Sequence, residues 1–173
     1  MSNDILKKQL ELVRFEKTMD YVYQSSGGPK RLNSNELAHL NQMLRHKQDV
    51  PWRSTPVSID IPSSGKTYDF GVISNSQMEA SHIIAKAHDI AANGDIPEAA
   101  THLYSELMLK HLFNDANRRT AVAAMAWLML EYDVSIPAMG LLELGVGDIR
   151  QPEQRQALKS IIENSIIMSG KKR

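Results

Sequence analysis

Ala121 to Leu130 reads Ala-Val-Ala-Ala-Met-Ala-Trp-Leu-Met-Leu, a helix-length run that is apolar almost all round. A helix with no polar face cannot sit at a surface and must be buried on most sides. The run is also too short to span a bilayer, which takes about 20 residues. Other elements must therefore wrap around it. The expected architecture is mainly helical, with a helix from about Ala116 to Tyr132 at its centre.

The flanking sequence supplies those elements. Asp4 to Gln24 carries Leu6, Leu10, Val13, Phe15, Met19 and Val22 near helical spacing and reads as an amphipathic helix. Ser25-Ser26-Gly27-Gly28-Pro29 ends it. A second helix starts at Asn33, with Glu36 three residues later as a capping-box variant. Ser76 with Glu79 opens a third, which Asn93-Gly94 stops. Asp95 and Pro97 open a fourth that runs to about Lys110. Gly140, Gly145 and Gly147 break the chain after the central helix. Pro152 starts a last helix through about Met168, and Ser169 to Arg173 reads as a frayed tail.

One stretch has a different period. Val57, Ile59 and Ile61 alternate with Ser58 and Asp60, the pattern of a half-buried strand. Pro62-Ser63-Ser64-Gly65-Lys66 is a turn, and Thr67 to Phe70 a return strand. The result is one short β-hairpin in an otherwise helical chain. A lone hairpin is marginal in water, so it is expected to lie on the helical body or on a partner. Ser64-Gly65-Lys66-Thr67 matches only the end of a phosphate-loop pattern, with Asp60 where the first glycine belongs and no helix following.

Composition narrows the function. The 173 residues make one domain with a single core. Lys plus Arg and Asp plus Glu are equal at 20 each, which removes the electrostatic case for nucleic-acid binding. Without cysteine there is no disulfide and no thiolate metal site. The N-terminus lacks a signal-peptide run, and no stretch is fit to cross a membrane. Cytoplasmic is the default location, with delivery into another cell left open.

The chemistry concentrates just ahead of the central helix, in His111-Leu112-Phe113-Asn114-Asp115-Ala116-Asn117-Arg118-Arg119-Thr120. The first turn of a helix leaves backbone N–H groups unpaired, and the dipole adds partial positive charge there. Those groups fall at Asn114 to Arg118, where an anion can settle on them. Arg118 and Arg119 add forked donors suited to phosphate oxygens, and Asn117 can orient one oxygen. Asp115 can hold a divalent cation that bridges phosphates. His111 can take a proton near neutral pH. Phe113 points the other way and pins the loop to the core.

Simpler roles exist for the same residues. Asn114 or Asp115 can cap the helix, and capping is compatible with binding. Arg118 and Arg119 can be solvated, although cations sit poorly at a helix start, which argues for a bound anion. His39, His46, His82, His88 and His102 have no metal-ligand context and read as structural.

These residues resemble the signature of the Fic/Doc family. In Fic members it reads His-Pro-Phe-x-Asp/Glu-Gly-Asn-Gly-Arg-x-x-Arg, and in the Doc branch Phe-x-Asp-Ala-Asn-Lys-Arg. His111, Phe113, Asp115, Asn117 and Arg119 fall in register. The hairpin resembles the family's flap, and the resemblance covers roughly residues 30 to 168. It implies a single Fido domain over 1–173, with the helix 4–24 ahead of that core and a tail at 169–173.

The implied activity uses ATP, or another nucleotide, with Mg²⁺ to modify a side-chain hydroxyl of a target protein. His111 would be the general base and Asp115 would bind Mg²⁺. Asn114, Ala116, Asn117 and Arg118 would surround the anion, and Arg119 would contact phosphate. The flap would hold the target segment as an added strand. Arg118 and Val122 replace the second glycine and the final arginine of the Fic pattern. Both changes resemble the Doc branch, which transfers the γ-phosphoryl group, so phosphoryl transfer is favoured. AMP transfer, as in most Fic members, is the alternative. A nucleotide-binding module without catalysis is the next. Many relatives are restrained by a helix bearing Ser/Thr-x-x-x-Glu-Gly/Asn. Glu163-Asn164 has that ending, with Lys159 at the hydroxyl position, and marks Glu163 as the inhibitory candidate. A separate antitoxin protein carrying the motif is the other form of restraint.

Overall fold

The computed structural model describes residues 3–61, 65–143 and 147–170. In chain order the elements are α1 (Asn3–Ser26), α2 (Ser34–Arg45), β1 (Val57–Ile61), β2 (Lys66–Phe70), α3 (Ser76–Ala92), α4 (Ile96–Lys110), α5 (Asn117–Leu130), α6 (Ala138–Glu143) and α7 (Pro152–Gly170). Among the described residues no helix is long and apolar enough to cross a membrane.

The apolar run is the centre of the molecule. Every residue of α5 from Thr120 to Met129 is buried, and the helix packs against α1, α2, α4 and α6. Its alanines let neighbours approach closely, while Trp127 fills the larger gap beside Tyr21. The fold is thus mainly helical with a single two-stranded antiparallel hairpin, as its periodicities predict.

Among the described residues three helix starts carry a side-chain cap. Asn33 accepts from the N–H groups of Asn35 and Glu36, and Asp95 from that of Glu98. Asn93 and Gly94 stop α3, with Gly94 at φ 93°. The cap of α3 is displaced by one residue from expectation. Asn75, not Ser76, accepts from the Met78 N–H, because the Ser76 hydroxyl donates to the Arg53 carbonyl.

The hairpin pairs Val57 with Phe70, Ile59 with Tyr68 and Ile61 with Lys66. It lies on the helical body through its last residue, Phe70, which is buried. Arg150 sits over the Tyr68 ring at 4.2 Å.

Three expectations are corrected. Phe15, Met19 and Val22 of α1 are buried, but Leu6, Leu10 and Val13 are about half exposed. Glu11 stands beside Arg119 at the start of α5 and Tyr21 beside Trp127, so the two helices run the same way. At 24 residues against 14, α1 is about 36 Å long and α5 about 21 Å, so the turns of α1 before Glu11, with Leu6, reach past the start of α5, while Leu10 and Val13 line an open groove with Gln42, Met43 and His46. Gly140 does not break the chain but lies inside α6, where burial of Ala138 and Leu141 outweighs its poor helix propensity. The last helix continues to Gly170, into the stretch read as a tail. The turn at Pro62, Ser63 and Ser64, together with Gly145 and the tail from Lys171, lies outside the described residues.

Candidate active site

His111 ends α4. Its N–H still donates to the Leu107 carbonyl at 3.1 Å, but its backbone is left-handed at φ 49° and ψ 57°. A non-glycine residue there is uncommon and holds only when its surroundings over-determine it. Here they do. The imidazole stacks on Phe70 with ring centroids 4.6 Å apart and planes 25° from parallel. Arg53 Nε donates to the His111 carbonyl at 2.6 Å. The ring nitrogen Nδ1 is buried and without a hydrogen-bond partner among the described residues. Burial is the main force holding the His111 pKa below its ordinary 6.5; the nearby Arg53 adds to it and Asp115 opposes it. The imidazole is therefore neutral at neutral pH and able to accept a proton.

The loop that follows is pinned along its backbone. Arg53 N–H donates to the Leu112 carbonyl at 2.8 Å and Asn114 N–H to the Pro51 carbonyl at 3.3 Å. Between them, Phe113 is buried and stacks on Trp52, with centroids 4.8 Å apart. The Asn117 side chain accepts from the Phe113 N–H and donates to the Phe113 carbonyl, both at 3.0 Å. Its amide is thus used within the loop, and its backbone N–H is what it has left to offer an anion. From below, Asn41 donates to the Asp115 carbonyl at 2.8 Å and to Thr120 Oγ1 at 3.0 Å.

This clamp leaves the start of α5 open. The residue at its N-cap is Ala116, left-handed at φ 59°, and among the described residues no side chain caps the helix. Its first-turn N–H groups are free to meet an anion. The Asp115 carboxylate accepts from the Ala116 N–H at 2.5 Å and is otherwise exposed, with Arg119 Nη2 3.9 Å away. Among the described residues no three His, Cys, Asp or Glu side chains cluster as metal ligands. A cation on Asp115 would therefore share its shell with nucleotide oxygens and water, as Mg²⁺ commonly does.

The two arginines diverge. Arg118 donates to the Leu142 carbonyl on α6, and its Nε is buried and without a hydrogen-bond partner among the described residues. Arg119 turns toward α1, where Glu11 lies 3.6 Å from Nη2, while its Nη1 is buried and without a hydrogen-bond partner among the described residues. His111 and the consecutive residues Asn114 to Arg119 line one cleft of about 280 Å³. A second of about 330 Å³, between Glu11, Leu12 and Leu142, shares both arginines.

The structure thus brings His111, Asn114, Asp115, Ala116, Asn117, Arg118 and Arg119 together. Glu163 stands elsewhere. Arg155 of α7 pairs with Glu106 at 3.5 Å, and Lys159 with Asp95 and Glu98 at 3.2 and 3.1 Å. The helix α7 therefore runs antiparallel to α4, and Glu163 follows one turn beyond Lys159, past the start of α4. His111 is at the other end of that 15-residue helix, about 22 Å along its axis. The carboxylate nearest Arg119 is Glu11, at 3.6 Å against 3.9 Å for Asp115. Neither it nor Arg53, Trp52 and Asn41 is marked by the sequence motif, and Phe70 reads there only as a strand residue. An arginine between Trp52 and the hairpin is the one local sign of Arg53's role.

A helical body with a hairpin over a histidine, and an uncapped helix start beside two arginines, defines a class of fold. The Fic/DOC family model matches residues 31–129, and the chain belongs to that family. Among solved structures it is similar to a Fic domain-containing signalling protein from Bacteroides thetaiotaomicron. The identity is 15%, over 91% of this chain and 69% of that one, with a TM-score of 0.64; at that identity the likeness is one of fold. A comparison with curated proteins finds no match.

Proposed function

We propose that this protein transfers part of a Mg²⁺-bound nucleotide, ATP in the first instance, to a side-chain hydroxyl of a target protein. One observation carries the reading: the partly buried imidazole of His111 and the uncapped start of α5 line the same cleft. The residues fit a triphosphate. Arg119 Nη1 and Arg118 Nε are buried polar atoms without hydrogen-bond partners among the described residues, and such atoms are costly unless something meets them.

The nucleotide would supply the transferable group, and the cation would offset charge on its phosphates. The N–H groups of Asn117, Arg118 and Arg119 would hold phosphate oxygens, and the Arg119 guanidinium would neutralise charge beside them. Asp115 would hold the cation. With Nδ1 buried, His111 Nε2 would take the proton of the target hydroxyl as its oxygen attacks phosphorus. The target segment would lie along the hairpin as an added strand.

Our reading favours transfer of the γ-phosphoryl group with release of nucleoside diphosphate. Its support is the residue pattern, with Arg118 at a glycine position and Val122 at that of the final arginine. A second reading is AMP transfer with release of pyrophosphate. It is favoured by one contact: an Nη of Arg118 is already engaged by the Leu142 carbonyl. ATP labelled at the α or the γ position separates them. Label on the target from γ only supports phosphorylation, and from α supports AMP transfer. No transfer to any protein of a lysate with Mg²⁺ present, from wild type as from His111→Ala, overturns both and leaves a binding module.

A further inference from the structure

Arg53 is the most heavily hydrogen-bonded side chain near the cleft and lies outside the signature. The residue is 3% exposed. Among the described residues no carboxylate pairs with its guanidinium, which donates to carbonyl oxygens instead. Nε meets the His111 carbonyl at 2.6 Å, and Nη2 the Lys110 carbonyl at 3.3 Å. Nη1 meets Thr55, Gly71 and Phe70 at 2.8, 2.9 and 3.2 Å. These oxygens belong to separate pieces of chain: the end of α4, the approach to β1 and the exit from β2.

A buried cation without a counter-charge is expensive, and carbonyl dipoles offset the cost only if most of its N–H groups are met. Apolar packing alone would not need such a group. The planar fork of arginine reaches several directions at once, which a lysine ammonium on a flexible stem does not. The backbone of Arg53 is fixed as well. Its N–H meets the Leu112 carbonyl at 2.8 Å, and its own carbonyl accepts from Ser76 Oγ at 3.0 Å. One residue therefore joins the hairpin, the signature loop, α3 and α4. Two of the five residues it grips by their carbonyls, Phe70 and His111, are those whose rings stack.

We infer that Arg53 is a positioning residue: its guanidinium sets the hairpin at a fixed height over His111, and so places a target hydroxyl held on the hairpin against the imidazole. This rests on the proposed role of His111 as base. It assigns to Arg53 no contact with nucleotide or target.

The test compares wild type with Arg53→Lys and Arg53→Met. The readouts are hydrogen exchange of the amides of β1, β2, α4 and α5, calorimetric titration with Mg-ATP, and label transfer to target. Exchange is expected to quicken in β1 and β2 while α4 and α5 stay protected. Affinity for Mg-ATP is expected to hold, because Arg119 and the start of α5 are untouched. The maximal transfer rate is expected to drop about a hundredfold, the cost of a misplacement near 1 Å. Unchanged hairpin protection and unchanged transfer in Arg53→Lys overturn the inference. So does loss of protection throughout α4 and α5, which makes the residue a strut of the core. If wild type itself neither binds nor transfers nucleotide, the proposed function fails, and selective loosening of the hairpin still decides whether Arg53 holds it over His111.

Discussion

Phe70 lies flat against His111, its ring centroid 4.6 Å from that of the imidazole. The last residue of the hairpin thus covers one face of the proposed base and contributes to the burial that lowers its pKa. Phe70→Ala removes that cover. We expect the His111 pKa to move up toward its ordinary value, read by NMR titration of the imidazole. The transfer rate should fall tenfold to about a hundredfold, since the ring also loses its orientation. A titration midpoint unchanged by the substitution would show that the burial comes from elsewhere.

The same environment fixes a pH dependence. A general base works when unprotonated, so kcat/KM should rise with pH through the lowered pKa of His111 and be level by about pH 7. Stability follows the same sign. Unfolding restores the ordinary pKa near 6.5, so below that pH the unfolded chain binds a proton that the folded chain resists. Resistance to urea should be full above about pH 6.5 and decline as the pH falls below it. His102, also lowered chiefly by burial, acts in the same direction. His111→Gln should remove part of this decline, and a wild-type urea midpoint that rises on acidification would contradict the assignment.

Much of this arrangement is legible in the sequence where the cause is local. The central helix declares itself because Ala121 to Leu130 has no polar face, and Asn33 and Asp95 cap their helices from within the next few residues. The hairpin follows from a period of two. What is not legible depends on residues far apart in the chain. The Ser76 hydroxyl is a good cap until the Arg53 carbonyl takes it. Leu6, Leu10 and Val13 keep helical spacing, but spacing does not reveal that α5 starts only beside Glu11, too late to cover Leu6, or that Leu10 and Val13 face an open groove. The signature marks His111 and Arg119, while their neighbours Phe70, Arg53 and Glu11 come from segments that only folding brings close.

Asn117 tests whether the loop must be held for the anion to bind. Its side chain closes two hydrogen bonds on the Phe113 backbone inside the core. Asn117→Asp keeps the shape and loses the donor, leaving the buried Phe113 carbonyl unmet beside a new negative charge. The expected cost is about 1–3 kcal/mol in stability, measured by urea unfolding. Affinity for Mg-ATP should fall as well, because the charge lies at the start of α5. A stable variant with unchanged affinity would mean that neither the clamp nor the helix start matters to binding.

Glu11 and Glu163 give opposite expectations. Glu11 lies 3.6 Å from Arg119 in a partly exposed pair, where it competes with a phosphate for the same guanidinium. Such a pair contributes no more than about 1 kcal/mol, so Glu11→Gln should tighten Mg-ATP binding by at most about fivefold. The gain should shrink as salt is added, because the competing charge is partly solvated. Glu163 stands beyond the far end of α4, and Glu163→Gln should leave binding unchanged. Calorimetric titration of both variants at low and high salt decides the matter. Tighter binding in Glu163→Gln but not in Glu11→Gln would mean that α7 reaches the cleft in a second arrangement of the chain. Tighter binding in Glu11→Gln alone makes α1 the element that competes with nucleotide, through the carboxylate the structure places beside Arg119.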